Sequence, residues 1–294
     1  MNILTRMRQA FVHEIPFFMA LPAFVWQMLF LYIPLMCVVG LTFLHIHEQF
    51  SLSSLTLAHY VLLKNPLLWA VILRSLLLAF CAACTCALFA YPVAYYIALH
   101  ANRFRHVCLF FLILPFWTNM LVQVYAWFFV LEKNGLINTL LLNLGIISEP
   151  LYFLNTIGAV YIVMVYCYLP FMAMPIYSIL DRFDRRLIEA SLDLGASQWR
   201  TFLHITLPLS FQGIRTGFFL VFVPAFGEFV IPVLMGGGKK MYVGSLISYY
   251  FLSALDTNRG AVCTVISALV LLVVSLALNK LLKWLIKVYV GKGY

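Results

Sequence analysis

SLLLAFCAACTCALFAYPVAYYIALHAN, residues 75–102, contains no Asp, Glu, Lys or Arg side chain. About 20 apolar residues in a helix are enough to cross the roughly 30 Å hydrocarbon core of a bilayer. Arg74 and Arg103 border the stretch on its two sides. The stretch therefore predicts a transmembrane helix, and it provides the pattern by which the rest of the chain is divided.

Five further apolar stretches follow this pattern, and the composition excludes a soluble globular protein. Hydrophobic residues make up 64% of the 294 residues and charged residues 10%, whereas a soluble domain contains about 25% charged residues. We therefore expect an all-α integral membrane protein with six transmembrane helices. The stretches lie between Glu14 and Glu48, Arg74 and Arg103, Arg105 and Glu132, Glu149 and Asp181, Arg215 and Lys239, and Arg259 and Lys280.

The distribution of basic residues predicts the orientation of these helices. With the N-terminus in the cytoplasm, thirteen of the 19 Lys and Arg residues fall in cytoplasmic segments and six on the other side. Cytoplasmic loops of membrane proteins carry an excess of Lys and Arg, so both termini are expected in the cytoplasm. The basic residues occupy short gaps between apolar stretches, a pattern that does not indicate nucleic-acid binding.

The polar segment between the third and fourth stretches contains a short amphipathic pattern. Apolar residues recur at helical spacing between Gly135 and Gly145. This segment is too short to cross a bilayer, so it predicts a helix at the outer surface.

The largest cytoplasmic segment, residues 181–208, reads DRFDRRLIEASLDLGASQWRTFLHITLP. Its pattern predicts a first helix over about residues 184–194 and a left-handed stop at Gly195. Ser197 is placed to cap a second helix, which is expected to end before Pro208. Such a hairpin presents charges and apolar side chains to the cytoplasm, which favours a docking function.

The hairpin resembles the EAA loop of ABC importer permeases, whose pattern is E-A-A, three residues, G, nine residues and I-x-L-P. The one departure is a serine in place of the second alanine. In that family the loop seats a coupling helix in a cleft of the cytoplasmic ATPase, and the resemblance implies a type I importer permease fold. The residues implied in coupling are Glu189, Ala190, Ser191, Gly195, Ile205, Leu207 and Pro208.

Three other segments resemble spermidine/putrescine permeases of this family. They are Leu114–Asn119 with Val124–Trp127, Tyr168–Met172 with Pro175–Tyr177, and Pro224–Pro232 with Met235–Gly237. The resemblance implies polyamine import across the inner membrane of a bacterium, with ferric ion, phosphonate or thiamine as alternative solutes. It also implies several partners: two cytoplasmic ATPase subunits that bind the ATP, a second homologous permease and an extracytoplasmic substrate-binding protein.

Glu228 is the one acidic residue inside the six stretches. An acid in a membrane-spanning segment is energetically unfavourable and is retained mainly for function, here the contact with a cationic substrate. Aromatic faces also attract cations. The alternative is a structural acid, hydrogen-bonded or protonated, with rings that pack or lie at the interface. The aromatic candidates for the path are Trp117, Tyr125, Trp127, Tyr166 and Tyr168.

Other chemistry has weaker support. Cys81, Cys84 and Cys86 form a C-x-x-C-x-C string, but on a helix the third points away from the first two, so no metal site or cofactor is expected. The His45 and His47 pair favours interfacial packing. No nucleotide-binding loop or catalytic constellation is found, so the chain is expected to be a transport subunit and not an enzyme. A secondary transporter would explain the helices and Glu228 but not the spacing of the hairpin.

The sequence predicts three regions. Residues 1–66 would hold the first transmembrane helix and an outer loop. Residues 67–286 would form the transmembrane domain with the coupling loop 181–208, and residues 287–294 a cytoplasmic tail.

Overall fold

A computed structural model describes residues 21–43, 45–46, 52–53 and 58–291. The described chain is mostly helical, with one pair of two-residue antiparallel strands in which His45 pairs with Ser53 and Ile46 with Leu52. His47 lies outside the described residues. The elements in chain order are α1 (Leu21–Leu41), β1 (His45–Ile46), β2 (Leu52–Ser53), a 3₁₀ turn (Ala58–Lys64), α2 (Pro66–Leu99), a 3₁₀ turn (Asn102–Phe104), α3 (Arg105–Trp117), α4 (Met120–Leu131), α5 (Leu136–Asn143), α6 (Ile157–Asp181), α7 (Arg186–Asp193), α8 (Gln198–Phe226), α9 (Val230–Gly236), α10 (Val243–Ser248), a π turn (Tyr249–Ser253) and α11 (Thr257–Gly291).

Five of these helices, α1, α2, α6, α8 and α11, are long and apolar enough to cross a membrane, and the bent pair that starts with α3 makes six. The six-helix prediction is therefore confirmed. Four of the predicted borders are wrong, because Arg74 lies inside α2, Arg215 inside α8, and Arg259 and Lys280 inside α11. The long apolar stem of an arginine lets its charge reach the interface from within a helix, so a charged residue does not have to end a membrane helix.

The chain divides into two compact units, Met1–Asn65 with Tyr250–Ile266, and Pro66–Tyr249 with Ser267–Tyr294. In the first unit, Tyr60 donates a 3.0 Å hydrogen bond to Thr42 Oγ1. Its ring lies 5.8 Å from that of Phe43. These contacts join the end of α1 to the 3₁₀ turn that precedes α2.

The core of the second unit is formed by α2, α6 and α8, which pack closely against one another. One face of α2 carries small side chains at intervals of three and four residues, which is the spacing of one helix face. Small residues let membrane helices approach closely, and dispersion contacts then stabilise the pair. The fully buried members of this face are Ala79, Ala83, Cys86, Ala90 and Ala94.

Two glycines allow a similar approach between α8 and α6. A Cβ atom at Gly213 would lie 2.8 Å from the carbonyl oxygen of Pro175, and one at Gly217 would lie 3.0 Å from that of Met172. Both obstacles are backbone atoms, so the helices would have to separate to admit a side chain. The pattern of small residues thus sets the distance between the helices that carry the functional side chains.

The third predicted span is broken. Segment Arg105–Trp117 meets segment Met120–Asn143 at 94°, so the third predicted stretch forms a bent pair of helices. Thr118 has an extended backbone with ψ 148°, and Asn119 starts the next helix by accepting a 2.8 Å hydrogen bond from the Leu121 amide. The first amides of a helix have no carbonyl partner within the helix, and the Asn119 side chain supplies an acceptor for one of them. A new helix, α4, therefore begins inside the apolar stretch.

The outer helix is confirmed as a helix, α5, which begins after Gly135 and ends before Gly145 at φ +68°. Asn138 is 1% exposed and holds the following loop. Its side-chain Nδ2 donates a 2.9 Å hydrogen bond to the Leu151 carbonyl oxygen. Its Oδ1 accepts a 3.0 Å hydrogen bond from the Leu151 backbone amide.

Candidate functional site

The fifth span also breaks, and Glu228 lies at the break. Helix α8 has Pro224 in its last turn and ends at Phe226, and α9 begins at Val230. The sequence analysis places the fifth span between Arg215 and Lys239, and the structure divides this stretch between the end of α8 and α9. Pro224 and Gly227 lie directly before the break. Freed backbone groups at such an interruption require other partners.

The Glu228 carboxylate provides part of this replacement. Oε1 accepts hydrogen bonds from the amides of Val230 at 2.9 Å and Ile231 at 3.4 Å, which are the first donors of α9. Oε2 accepts a 2.8 Å hydrogen bond from the hydroxyl of Tyr168 on α6, whose side chain is 7% exposed. The predicted alternative of a structural, hydrogen-bonded acid is therefore confirmed in part, because the Glu228 carboxylate caps α9.

The capping leaves one acceptor site on the carboxylate. An ionised carboxylate has about four lone-pair sites, and the three hydrogen bonds use three of them. The ion pairs recorded within the described ranges involve Asp181 and Asp256, so Glu228 has no cationic partner there. The half-buried carboxylate therefore combines fixed orientation with capacity for one more donor.

The break in the third span is tied to the neighbouring residue of α6. Cys167 Sγ donates to Gln123 Oε1 at 3.7 Å. The side-chain Nε2 of Gln123 donates a 2.6 Å hydrogen bond to Thr118 Oγ1 and also donates to the Pro115 carbonyl oxygen. Consecutive residues of one helix, Cys167 and Tyr168, thus contact both span breaks.

Gln123 and Cys167 are members of this cluster that were not predicted from the sequence. The signal for Gln123 was present, because it is an amide inside an uncharged apolar stretch. Cys167 carried no such signal, since its role depends on which helix faces it.

The structure brings together some of the predicted aromatic residues and separates others. Tyr168 contacts Glu228, and Trp127 packs edge-on against Tyr166 with ring centroids 5.3 Å apart. Residues two apart on a helix point about 200° apart, so Tyr166 and Tyr168 lie on opposite sides of α6. Trp117 is 72% exposed and Tyr125 is 49% exposed, and the structure places neither against Glu228.

The hairpin 181–208 has the predicted turn. Helix α7 covers Arg186–Asp193, and Gly195 has φ +82°, the left-handed conformation expected of the stop. Ser197 accepts a 3.4 Å hydrogen bond from the Arg200 amide and so caps the second helix, as predicted. The serine that departs from the family pattern, Ser191, shares a 2.9 Å hydrogen bond with Thr201 across the hairpin.

The second hairpin helix does not end before Pro208, so that prediction is wrong. A π turn at Phe202–Thr206 joins Gln198–Thr201 to Leu207–Phe226, and the three parts form the continuous helix α8. Proline lacks the N–H of a normal helical turn and its ring crowds the preceding carbonyl. The wider π turn accommodates Pro208 without a break. The second helix of the hairpin is therefore continuous with the span that ends beside Glu228.

The outer face of the hairpin is apolar and exposed. Leu194 is 89% exposed and Trp199 is 68% exposed. Glu189 is also exposed and takes part in none of the ion pairs recorded for the described chain. Exposed apolar side chains next to charged ones are typical of a protein–protein or membrane interaction site.

Arginine side chains connect the hairpin and its entry to the transmembrane core. Arg185 donates a 2.9 Å hydrogen bond to the carbonyl oxygen of Ala98 at the end of α2. Arg105 pairs with Asp181 and donates a 2.6 Å hydrogen bond to the hydroxyl of Tyr177, which joins the start of α3 to the end of α6. The hairpin is thereby attached to α2 as well as to α8.

The family model described as the binding-protein-dependent transport system inner membrane component matches residues 90–289. The chain belongs to this family. As a binding-protein-dependent inner membrane component it is a multi-pass inner membrane protein and a transport component. It is 40% identical over 253 residues to the spermidine/putrescine transport system permease protein PotB of Escherichia coli strain K12. The aligned region covers 84% of this chain and 92% of PotB.

Solved structures share the fold of this inner membrane component. The crystal structure of a bacterial ABC transporter involved in the import of the acidic polysaccharide alginate matches with a TM-score of 0.69 and 19% identity, over 95% of this chain and 98% of that chain. The bacterial alginate ABC transporter in complex with alginate pentasaccharide-bound periplasmic protein matches with a TM-score of 0.67 and 17% identity, over 98% and 99%.

Proposed function

We propose that the chain is the membrane-spanning permease subunit of an ATP-driven importer that moves polyamines such as putrescine and spermidine across the inner membrane. The observation that carries the substrate class is the 40% identity to PotB over most of both chains. The carboxylate and phenol at the break of the fifth span agree with a cationic substrate.

Glu228 is the residue we assign to substrate contact. A polyamine gives up water when it enters the membrane, and a carboxylate oxygen and aromatic faces compensate for that loss. The remaining lone pair of Glu228 accepts from an ammonium group, while Tyr168 and the amides of α9 hold the carboxylate in place. Trp127 and Tyr166 offer a second cation-binding surface of ring faces.

The hairpin 181–208 is the proposed coupling element. Two cytoplasmic ATPase subunits bind ATP, and one of them receives this hairpin through the residues of the EAA pattern. A second, homologous permease completes the path, and an extracytoplasmic binding protein delivers the substrate. A periplasmic protein bound to the alginate transporter, which has the same fold, supports the last partner. Closure of the ATPases moves the hairpins together and changes which side of the membrane the path faces.

Uptake into proteoliposomes tests the proposal. The chain is reconstituted with its ATPase, second permease and binding protein, and labelled putrescine or spermidine is supplied on the binding-protein side. We expect accumulation that requires ATP and persists when ion gradients are dissipated. Accumulation driven by an ion gradient without ATP would indicate a secondary transporter. ATP-dependent uptake of ferric ion, phosphonate or thiamine in place of polyamine would contradict the substrate assignment.

A further inference from the structure

The second unit contains an open groove that the proposed transport function does not use. It lies between α8 and the part of α11 after Ser267, and its volume is about 980 Å³. Apolar side chains line most of it, among them Leu220, Leu272 and Leu276, each about half exposed. A groove of this size leaves apolar surface for another molecule to cover.

One end of the groove is polar. Arg215 and Asn279 line this end, and Arg215 is half-buried on α8. No hydrogen bond or ion pair of the Arg215 side chain is recorded with any residue that the structure describes. Ser275, on the same helix as Asn279, also lines the groove, and its hydroxyl oxygen is buried without a hydrogen-bond partner in the same described residues. A guanidinium within a membrane helix requires an anionic or polar partner.

We propose that this groove binds an anionic glycerophospholipid, with its phosphate at Arg215 and an acyl chain along Leu220, Leu272 and Leu276. The guanidinium presents paired donors that match two phosphate oxygens, and Asn279 adds an amide at the same end. From Arg215 to Pro224 the groove extends about 13 Å along α8, at about 1.5 Å per residue. That length suits the upper part of an acyl chain in one leaflet.

Charge favours a lipid over a helix of a partner subunit, because a partner helix would have to supply its own acid in the membrane to pair with Arg215. The proposal does not depend on which solute is transported.

Native mass spectrometry of the full chain in detergent tests the headgroup. The probes are phosphatidylglycerol and phosphatidylethanolamine with identical acyl chains. We expect phosphatidylglycerol to bind with preference, and Arg215→Gln to reduce that preference about fivefold. Lys287→Gln is the matched control, since it removes an exposed basic residue of α11 that does not line the groove. An equal loss in both variants, or no loss in Arg215→Gln, would overturn the proposal.

Two further measurements keep the proposal testable if Arg215→Gln does not fold. Ala268 lines the groove and is exposed, so Ala268→Phe places a ring in the space of the acyl chain and should reduce retention of both lipids. A photoreactive side chain at Leu272, activated in native membranes with the assembled transporter, should form adducts with lipid. Adducts with a second polypeptide would show that a partner helix fills the groove and would overturn the lipid assignment, as would unchanged lipid retention in Ala268→Phe.

Discussion

Tyr168 donates a 2.8 Å hydrogen bond to Oε2 of Glu228, which joins the middle of α6 to the break in the fifth span. Cys167, the preceding residue, donates to Gln123 beside the break in the third span. One turn of α6 therefore supports two interrupted helices. Interrupted membrane helices expose backbone groups and the ends of helix dipoles, and in transporters they form the sites where substrates bind.

Glu228→Gln separates the capping role of Glu228 from a role of its charge. The amide oxygen still accepts from the amides of α9, so the protein should reach the membrane and assemble normally. Polyamine uptake should fall at least about tenfold, because a hydrogen bond to a charged group contributes about 1.5–3 kcal/mol. Uptake, abundance and ATPase association are measured together, with Glu149→Gln as the control at an exposed acid. Normal uptake at normal abundance would show that transport does not use this charge.

Tyr168→Phe keeps the acid but removes the donor that orients it. The KM for polyamine uptake should rise several-fold, since the carboxylate loses one of its three hydrogen bonds and its fixed direction. Tyr161→Phe is the matched control, because Tyr161 is two turns away on the same face of α6 and hydrogen-bonds to the Cys81 carbonyl oxygen at 3.1 Å. Equal rises in KM for both variants would indicate loosened packing between spans and not a role at Glu228.

Gly195→Val tests the coupling hairpin. At φ +82° a side chain strains the backbone by about 1–2 kcal/mol, although no atom lies within 4 Å of the position that its Cβ would take. The variant should stay in the membrane and lose ATPase association, measured by co-purification. Gly238→Val is the control, since Gly238 has φ +68° and equally open surroundings. Loss of association in both variants, or in neither, would contradict the docking role of the hairpin.

Arg185→Gln tests transmission from the hairpin to α2. Removal of the hydrogen bond to the Ala98 carbonyl oxygen should leave ATPase association intact but lower the amount of substrate moved per ATP hydrolysed. Arg186→Gln removes the adjacent charge, whose side chain makes no recorded contact in the described chain, and should preserve this ratio. The ratio is measured in proteoliposomes. An unchanged ratio in Arg185→Gln would show that the contact with α2 is not used in coupling.

The orientation follows from the bias of basic residues and is tested with reporter fusions. A fusion at the C-terminus should report the cytoplasm, and one at Asn143, the last residue of α5, should report the opposite side. Reports from the same side would contradict the orientation and the count of six spans.

The sequence by itself determined the class of this protein, the number of its spans and the local turn at Gly195. These features depend on composition, apolar length and backbone preferences, which act within about 30 residues and need no knowledge of neighbouring helices. The outer helix α5 and the Ser197 cap belong to the same group.

Only the tertiary structure showed which side chains contact the breaks in the third and fifth spans. Tyr166 and Tyr168 are the same residue type two positions apart, and the sequence does not distinguish their roles. Tyr166 packs on Trp127 and Tyr168 donates to Glu228, because the helix directs them to opposite sides. Cys167 joined the site through the helix that faces it. The continuation of the second hairpin helix into α8 was also not predicted, because Pro208 indicates a helix end. The π turn before Pro208 lets the helix continue. Hydrogen bonds between distant residues and the direction of a side chain around its helix arise from packing, and no local pattern of residue types encodes them.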